Sequence, residues 1–511
     1  MRTRTSVTFA LLGLAIASQV SAATAWFGLN VPQGLSDPDR PVVDVTRVHA
    51  PAALVPAGEE RFDALRGERI RPDVAKIVEF SQKSRASGDR VWGRVTGFSS
   101  AQATIEWAAS RFKEVGLRDV AVQEYAAAPD TPMWWATSWE ARVIGNPAFG
   151  AGSNDVVLHS AVPTSGSMIE GESIKGPLVF VGAVTDPALA AIDVKGKIAV
   201  QHLKPERGAY SERRPTVERA QALAKRGALA VINVIEQTGN MHIRDFGNCG
   251  VPCFNVGTLD GAFVEAAIAR AASAKTAPVQ IELKLAAKRL TGLKGHNAFG
   301  IVPGKSDENI IVNAHADGWY DAAGDNADGL AVLIAMARHF AKAENQPART
   351  LVFVASGGHH STGLNGPANF VKANPVLTAK TVMVLNLEHI AQFEIVAGSW
   401  MVNPREQPMN FGIDNSSPYL QALGKRAMQR YGFNLNPTFT TSVAGDLGGY
   451  GPLGVARVQA IHSGPMYHAS GDVLDTISVP GLERAARFYT YFVSEAAKAS
   501  RAQINPPQAR E

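Results

Sequence analysis

The stretch NIIVNAHADGWYDAAGDNADGLAVLIAMARHF, residues 309–340, holds a strand, a polar turn and a helix in succession. Asn309–Ala314 is an apolar run of strand length that stops at His315 and Asp317. The turn continues to Gly324-Asp325-Asn326-Ala327-Asp328-Gly329, which opens a helix. In that helix Leu330, Leu333, Ile334 and Ala337 recur at the spacing of a single helical face. A strand that passes through a polar turn into an apolar-faced helix is the building unit of a parallel sheet covered by helices.

The same rhythm returns at Leu351–Val354, Thr381–Leu387 and Val458–Ile461. These near-continuous apolar strands predict an α/β fold: a mostly parallel mixed sheet sandwiched by helices. Ligands of such sheets gather outside the carboxyl ends of the strands. Placed there are His315 and Asp317, then Gly358-His359-His360, then Glu388-His389, then Tyr467-His468, with Asp325 at the start of the first helix. Singly, each has an ordinary explanation: a loop histidine is usually a hydrogen-bonded surface group, and Asp325 could cap its helix. Repetition at successive strand ends outweighs those explanations. A set of His, Asp and Glu suits zinc, and an aspartate using both oxygens suits a pair of zincs.

Outward from this core, residues 23–70 are rich in Pro, Asp and Arg, lack a sustained period and read as an extended lead-in. Residues 71–154 read as the first part of the main domain, with a helix from about Ser100, a strand at Val120–Tyr125 and irregular strands after Pro129. Residues 155–290 change texture to a strand–turn–strand–helix–strand unit, a separate small α/β domain. Residues 291–500 complete the main domain, and 501–511 form a polar tail. Cys249 and Cys253, the sole cysteines, either close a small loop or stay as half-buried thiols. Gly449–Gly454 spells a dinucleotide-type glycine pattern, but Pro452 interrupts it, and it reads as a loop in the pocket wall.

Of 511 residues, 46% are hydrophobic and 19% charged, which excludes a disordered chain and leaves room for two or three domains. Arg2 and Arg4, the apolar Val7–Ala17 and the small Val20-Ser21-Ala22 make residues 1–22 a signal peptide cleaved near Ala22. The expected location is periplasmic or secreted, with no membrane attachment after processing. The net charge of +4 becomes 4 − 2 = +2 without those arginines, too small for a nucleic-acid partner. No Gly-x-Ser-x-Gly elbow or phosphate-binding Walker loop offers a competing chemistry.

The ordered motifs resemble the zinc aminopeptidase and carboxypeptidase family that contains glutamate carboxypeptidase II and the bacterial leucyl aminopeptidases. They are His315-x-Asp317, Gly324-Asp325-Asn326-x-x-Gly329, Arg349–Ala355, Asn386-Leu387-Glu388 and Tyr467-His468 followed by Asp475-Thr476, with Gly93–Gly97 upstream. Residues 155–290, with Asp193–Ile198 and Gly227-Ala228, resemble the protease-associated domain inserted in several members. The resemblance implies two zincs per chain bridged by Asp325. One is also held by His315 and Glu388, the other by His360 and His468. It further implies that Asp317 orients His315 and that Tyr467 hydrogen-bonds the oxyanion of a tetrahedral intermediate.

Two departures stand out. Where the family carries adjacent glutamates, a general base and a ligand, this chain has His359-His360, and Glu388 stands where aspartate is usual. Histidine serves as a zinc ligand and as a general base, so His360 takes the first role and His359 the second. No carboxylate lies between Ala355 and Asn369, which leaves Asp328 as the nearest substitute base. The function implied is an exported zinc-dependent exopeptidase that hydrolyses short peptide or aminoacyl substrates with a metal-activated water, with a second copy of the chain in a homodimer as a candidate partner. Two alternatives use the same scaffold: a non-hydrolytic, receptor-like metal-binding protein and a one-zinc acyl transferase resembling glutaminyl cyclase.

Overall fold

A computed structural model of the chain describes residues 29, 31, 43–45, 48–145, 154–186, 189, 191–205, 209–244, 247–396, 401–436 and 438–507. The expected signal peptide, most of the lead-in and the end of the tail lie outside these residues. Among the described residues no helix is long and apolar enough to cross a membrane.

The first sheet has seven strands in the order 410–413, 456–461, 381–387, 306–315, 349–356, 294–302 and 118–126. The four strands read from sequence lie side by side and are parallel, with Ile310 opposite both Leu351 and Met383. They are buried on both faces, which is why their sequences are apolar without alternation. The helices Gly67–Ala86, Ser99–Glu114, Asp328–Phe340 and Val479–Ala496 cover one face. The other is closed by the helix Gly366–Ala373 and the segment Gly445–Leu453, around Phe299, Val352, Val354, Phe370 and Tyr450. The sheet is less parallel than expected, because 410–413, 294–302 and 118–126 all pair antiparallel at its flanks.

Two readings of the amino-terminal part need correction. The lead-in ends sooner than residue 70, since the helix Gly67–Ala86 begins inside it. Its buried Ile70, Val74, Ile77 and Val78 form a narrow stripe on an otherwise polar helix, and Pro72 is tolerated in the first turns. The region after Pro129, where it is described, is more regular than expected and carries one bulge. Met133–Val143 is an unbroken strand, and it pairs with Gln280–Leu290 rather than with the first sheet. The boundary drawn between 154 and 155 therefore falls after the first strand of the second sheet, not before it.

That second sheet has eight strands in the order 156–157, 133–143, 280–290, 174–183, 198–203, 230–235, 253–256 and 162–163. The chain leaves the first sheet after Ala126 and re-enters it at Lys294, and these two residues are paired neighbours. The Ala127 N–H donates to the Leu293 carbonyl at 2.8 Å. An insertion whose two ends already touch adds little closure entropy to the host sheet. Cys249 and Cys253 are joined as a disulfide. The polar tail is docked at its start: Ser500 caps the turn Arg501–Ile504, Ile504 is fully buried, and the Asn505 side chain accepts from the Ala456 N–H and donates to the Val382 carbonyl.

Within the second sheet His202 lies between Glu265 at 2.7 Å and Glu236 at 3.0 Å, with Lys204 on the far side of Glu236. The hydrogen bond to Glu265 raises its pKa against the effect of burial. A raised imidazole stabilises the fold in full below its ordinary value of 6.5 and ceases to as pH climbs through the raised one. His202→Gln should therefore lower stability by on the order of 1 kcal/mol on the acid side. The loss should shrink in alkaline buffer, as read from denaturant midpoints.

Candidate metal centre

The strand Ser306–His315 delivers His315 to its buried carboxyl end, beside the strand that leads to His359 and His360. Asp325 sits in the tight turn Ala323–Ala327, preceded by Ala322 at φ 49°, and its peptide bond to Asn326 is cis. The turn is held from outside. Asp472 accepts the N–H groups of Gly324 and Asp325 at 2.7 and 3.0 Å and the Gln392 amide at 2.8 Å.

The carboxylate of Asp325 is the hub. Its Oδ1 lies 3.3 Å from His315 Nε2, 3.3 Å from His360 Nε2 and 3.1 Å from His389 Nε2, and its Oδ2 lies 3.4 Å from His468 Nε2. Two groups of donors share it: His315, Asp325 and His389, and Asp325, His360 and His468. A third, His315, His359 and His360, overlaps both. Glu388 faces the same cluster one step back, its Oε1 3.8 Å from His315, 3.7 Å from His359 and 3.8 Å from His389, while Oε2 accepts from Asn386.

The donor set fits a metal ion. His315 Nε2, His389 Nε2 and Asp325 Oδ2 are buried and have no hydrogen-bond partner among the described residues, an arrangement that costs on the order of 1–3 kcal/mol per atom unless a cation takes the lone pairs. Imidazole and carboxylate are zinc donors. The electrostatics agree. Burial works against a charged His389, yet Asp325 outweighs it and raises the imidazole to about 9. Burial also opposes ionisation of Asp325, but His360 and His389 hold it well below the usual carboxylate range. His360 is pushed down to about 4, chiefly by burial, and so keeps a free lone pair.

Asp317 acts differently from the expectation. His315 Nδ1 contacts the backbone carbonyl of Asp317 at 3.0 Å, whereas the carboxylate oxygen is 3.6 Å away. That carboxylate instead accepts from the Thr96 hydroxyl at 3.0 Å and from the N–H groups of His359 and His360 at 3.4 and 3.1 Å. It fixes the loop that presents both histidines. The Asp328 carboxylate accepts the N–H groups of Gly329, Ile390 and Ala391 and so anchors the segment after His389. Tyr467 stacks on His468 with centroids 3.6 Å apart.

These groups floor a cavity of about 520 Å³, lined by His359, His360, Tyr467 and His468, with Ser165, Arg213 and Arg244 arriving from the insertion. Gly445 and Asp446 form its wall, not the Gly449–Gly454 loop to which the sequence pointed. Arg244 is wedged over Trp319, 4.4 Å from the ring centroid, and its N–H donates to the His468 carbonyl at 2.9 Å.

Sequence reasoning missed Asp472 and Asp446 in this site, and it placed His389 at a strand end without giving it a role. His389 was visible as the neighbour of Glu388. The two aspartates sit in irregular segments far along the chain from the groups they hold, and no local pattern marks them.

Residues 297–493 match the family described as Peptidase family M28. The chain is 26% identical over 473 residues to aminopeptidase YwaD of Bacillus subtilis, spanning 88% of this chain and 90% of that protein. Its fold is similar to that of a peptidase M28 precursor from Shewanella amazonensis, with a TM-score of 0.63 and 18% identity over 87% of this chain and all of that one. It is also similar to the zinc aminopeptidase BSAP from Bacillus subtilis, with a TM-score of 0.57 and 21% identity over 86% and 98% of the two chains.

Proposed function

We propose that the chain, whose residues 297–493 match peptidase family M28, is a zinc metallopeptidase and an exported aminopeptidase of short peptides. The observation that carries this reading is the hub at Asp325, with four imidazole nitrogens 3.1–3.4 Å from its two oxygens on the floor of the cavity. Two zincs would share Asp325, one also held by His315 with His389 and Glu388, the other by His360 and His468. Zinc supplies a Lewis acid for the scissile carbonyl and lowers the pKa of a bound water.

The chain's own residues do the rest. His359, whose ring lies against His315 with centroids 4.0 Å apart, accepts a proton at Nε2 and returns it to the leaving amine. Tyr467 donates its hydroxyl to the developing oxyanion. The insertion, similar in pattern to a protease-associated domain, narrows the cavity through Ser165, Arg213 and Arg244 and so limits the length of peptide admitted. Retention of every donor speaks against a receptor-like protein that binds without hydrolysing.

Metal analysis of the purified protein, run beside a screen of aminoacyl and dipeptide substrates, tests the reading. Zinc-loaded protein that hydrolyses none of them would overturn it, and a cyclised product would favour the acyl-transferase alternative. Amino-terminal sequencing of protein from the cell envelope should begin near Ala23. If His389 is a ligand, His389→Ala should weaken zinc by at least the ~10–100-fold typical of lost outer partners, and Glu388→Gln by less. Competition with a chelator of known affinity reads both.

A further inference from the structure

The loop after strand Val402–Glu406 and helix Pro418–Tyr431 returns to the site at Gly445 and Asp446, and Asp446 meets His359. Asp446 is buried, and His359 Nδ1 lies 3.0 Å from its Oδ1. The other oxygen is already committed: Oδ2 accepts the Ser356 hydroxyl at 2.7 Å and the Asn313 amide at 2.8 Å. Asn313 is held in turn, its oxygen accepting from the Tyr450 hydroxyl at 2.9 Å. A carboxylate surrounded by donors is an acceptor on every side, so the nitrogen facing it must carry the hydrogen. The imidazole is also seated sterically. One face stacks on His315, and a Cβ at Gly445, a residue at φ +60°, would stand only 2.8 Å from His359 Cε1.

We propose that Asp446 is the positioning residue of His359: it holds the hydrogen on Nδ1 and thereby presents Nε2, as a lone pair, to the metal-ligating groups. The proposal rests on the hydrolytic reading above for its consequence in turnover, but not for the tautomer itself. A carboxylate–imidazole pair would then occupy the position where the resembled family uses one glutamate. Its acceptor atom lies 3.7 Å from Glu388 Oε1, and its anchoring charge is buried in the segment that covers the sheet. The arrangement explains why a histidine can stand here at all. Without a fixed tautomer, an imidazole beside His315 and His360 can present either nitrogen, and one of the two offers a hydrogen instead of a lone pair.

Asp446→Asn is the informative variant, because it keeps the volume. The amide oxygen can still accept from Ser356 and Asn313, and the amide nitrogen then donates to His359 Nδ1. That reverses the pair and moves the hydrogen to Nε2. Long-range ¹⁵N–¹H correlation spectra of histidine-labelled, metal-free protein report the tautomer, with the His359 signals identified by their absence in His359→Gln. Wild type should show the Nδ1–H form and Asp446→Asn the Nε2–H form. On zinc-loaded protein the same substitution should lower kcat by roughly 10²–10⁴-fold, as for a general base that cannot accept its proton, with KM little changed. An Nε2–H tautomer in wild type, or an Asp446→Asn enzyme with wild-type kcat, overturns the proposal. Should wild type hydrolyse nothing, the functional reading fails, while the wild-type spectrum still decides the role of Asp446. The same spectrum decides it if the variant does not fold.

Discussion

In Asp325→Ala, zinc affinity is expected to fall by more than ~100-fold, the upper end of what a lost outer-sphere partner costs, and hydrolysis should fall with it. The reason is positional. Among the described residues Asp325 is the one carboxylate in reach of all four of His315, His360, His389 and His468, and its loss leaves His360 and His468 without it. Asp317→Asn is the control of similar chemistry and depth. Its carboxylate touches the loop N–H groups of His359 and His360, so its loss should weaken zinc only within the ~10–100-fold range. Competition with a calibrated chelator measures both. Full zinc occupancy in Asp325→Ala would sink the shared-carboxylate assignment and with it the two-zinc reading.

The second large effect should separate two adjacent residues. His360→Ala is expected to lose zinc, since His360 Nε2 belongs with Asp325 and His468 in one donor group. His359→Ala is expected to keep its zinc and lose turnover, by roughly 10²–10⁴-fold for an absent general base. His359 also stands within ligand distance of His315 and His360, so the experiment has a real alternative. Zinc loss in both variants would make His359 a ligand and leave the proton to another group. His359→Glu adds a further constraint. Asp446 already places a carboxylate against that position, and a second one would be repelled by it. The glutamate variant should therefore regain full activity only when paired with Asp446→Asn. A fully active His359→Glu single variant would show that Asp446 exerts no such control.

The four central strands and the helix after the first of them were legible because their signal is local. A strand covered on both faces must be largely apolar, and Ile310–Val312, Leu351–Ala355 and Val382–Leu385 are so throughout. The ends of those strands carried most of the site for the same reason: the polar residues that interrupt such runs are forced together where the sheet stops. The helix Gly67–Ala86 was missed because its buried stripe is only a few residues wide. Met133–Val143 reads as irregular strands of the main domain, because nothing within it names Gln280–Leu290 as its partner.

Read alone, the sequence carries the α/β class, the insertion as a unit of its own texture, and the placing of His315, Asp325, His360 and His468 as candidate donors where apolar runs end. These follow from which residues must be buried and where an apolar run ends. Only the tertiary structure decided how the donors are shared and what holds them. It brought His389 in beside Glu388, turned the Asp317 carboxylate toward the His359-His360 loop, set Asp472 behind the Asp325 turn, and seated His359 on Asp446, 87 residues away. The physical reason is that burial is a property of each residue in its local run. Hydrogen-bond partnership is a property of two segments that meet only when the sheet has closed, and nothing in either segment alone records the other.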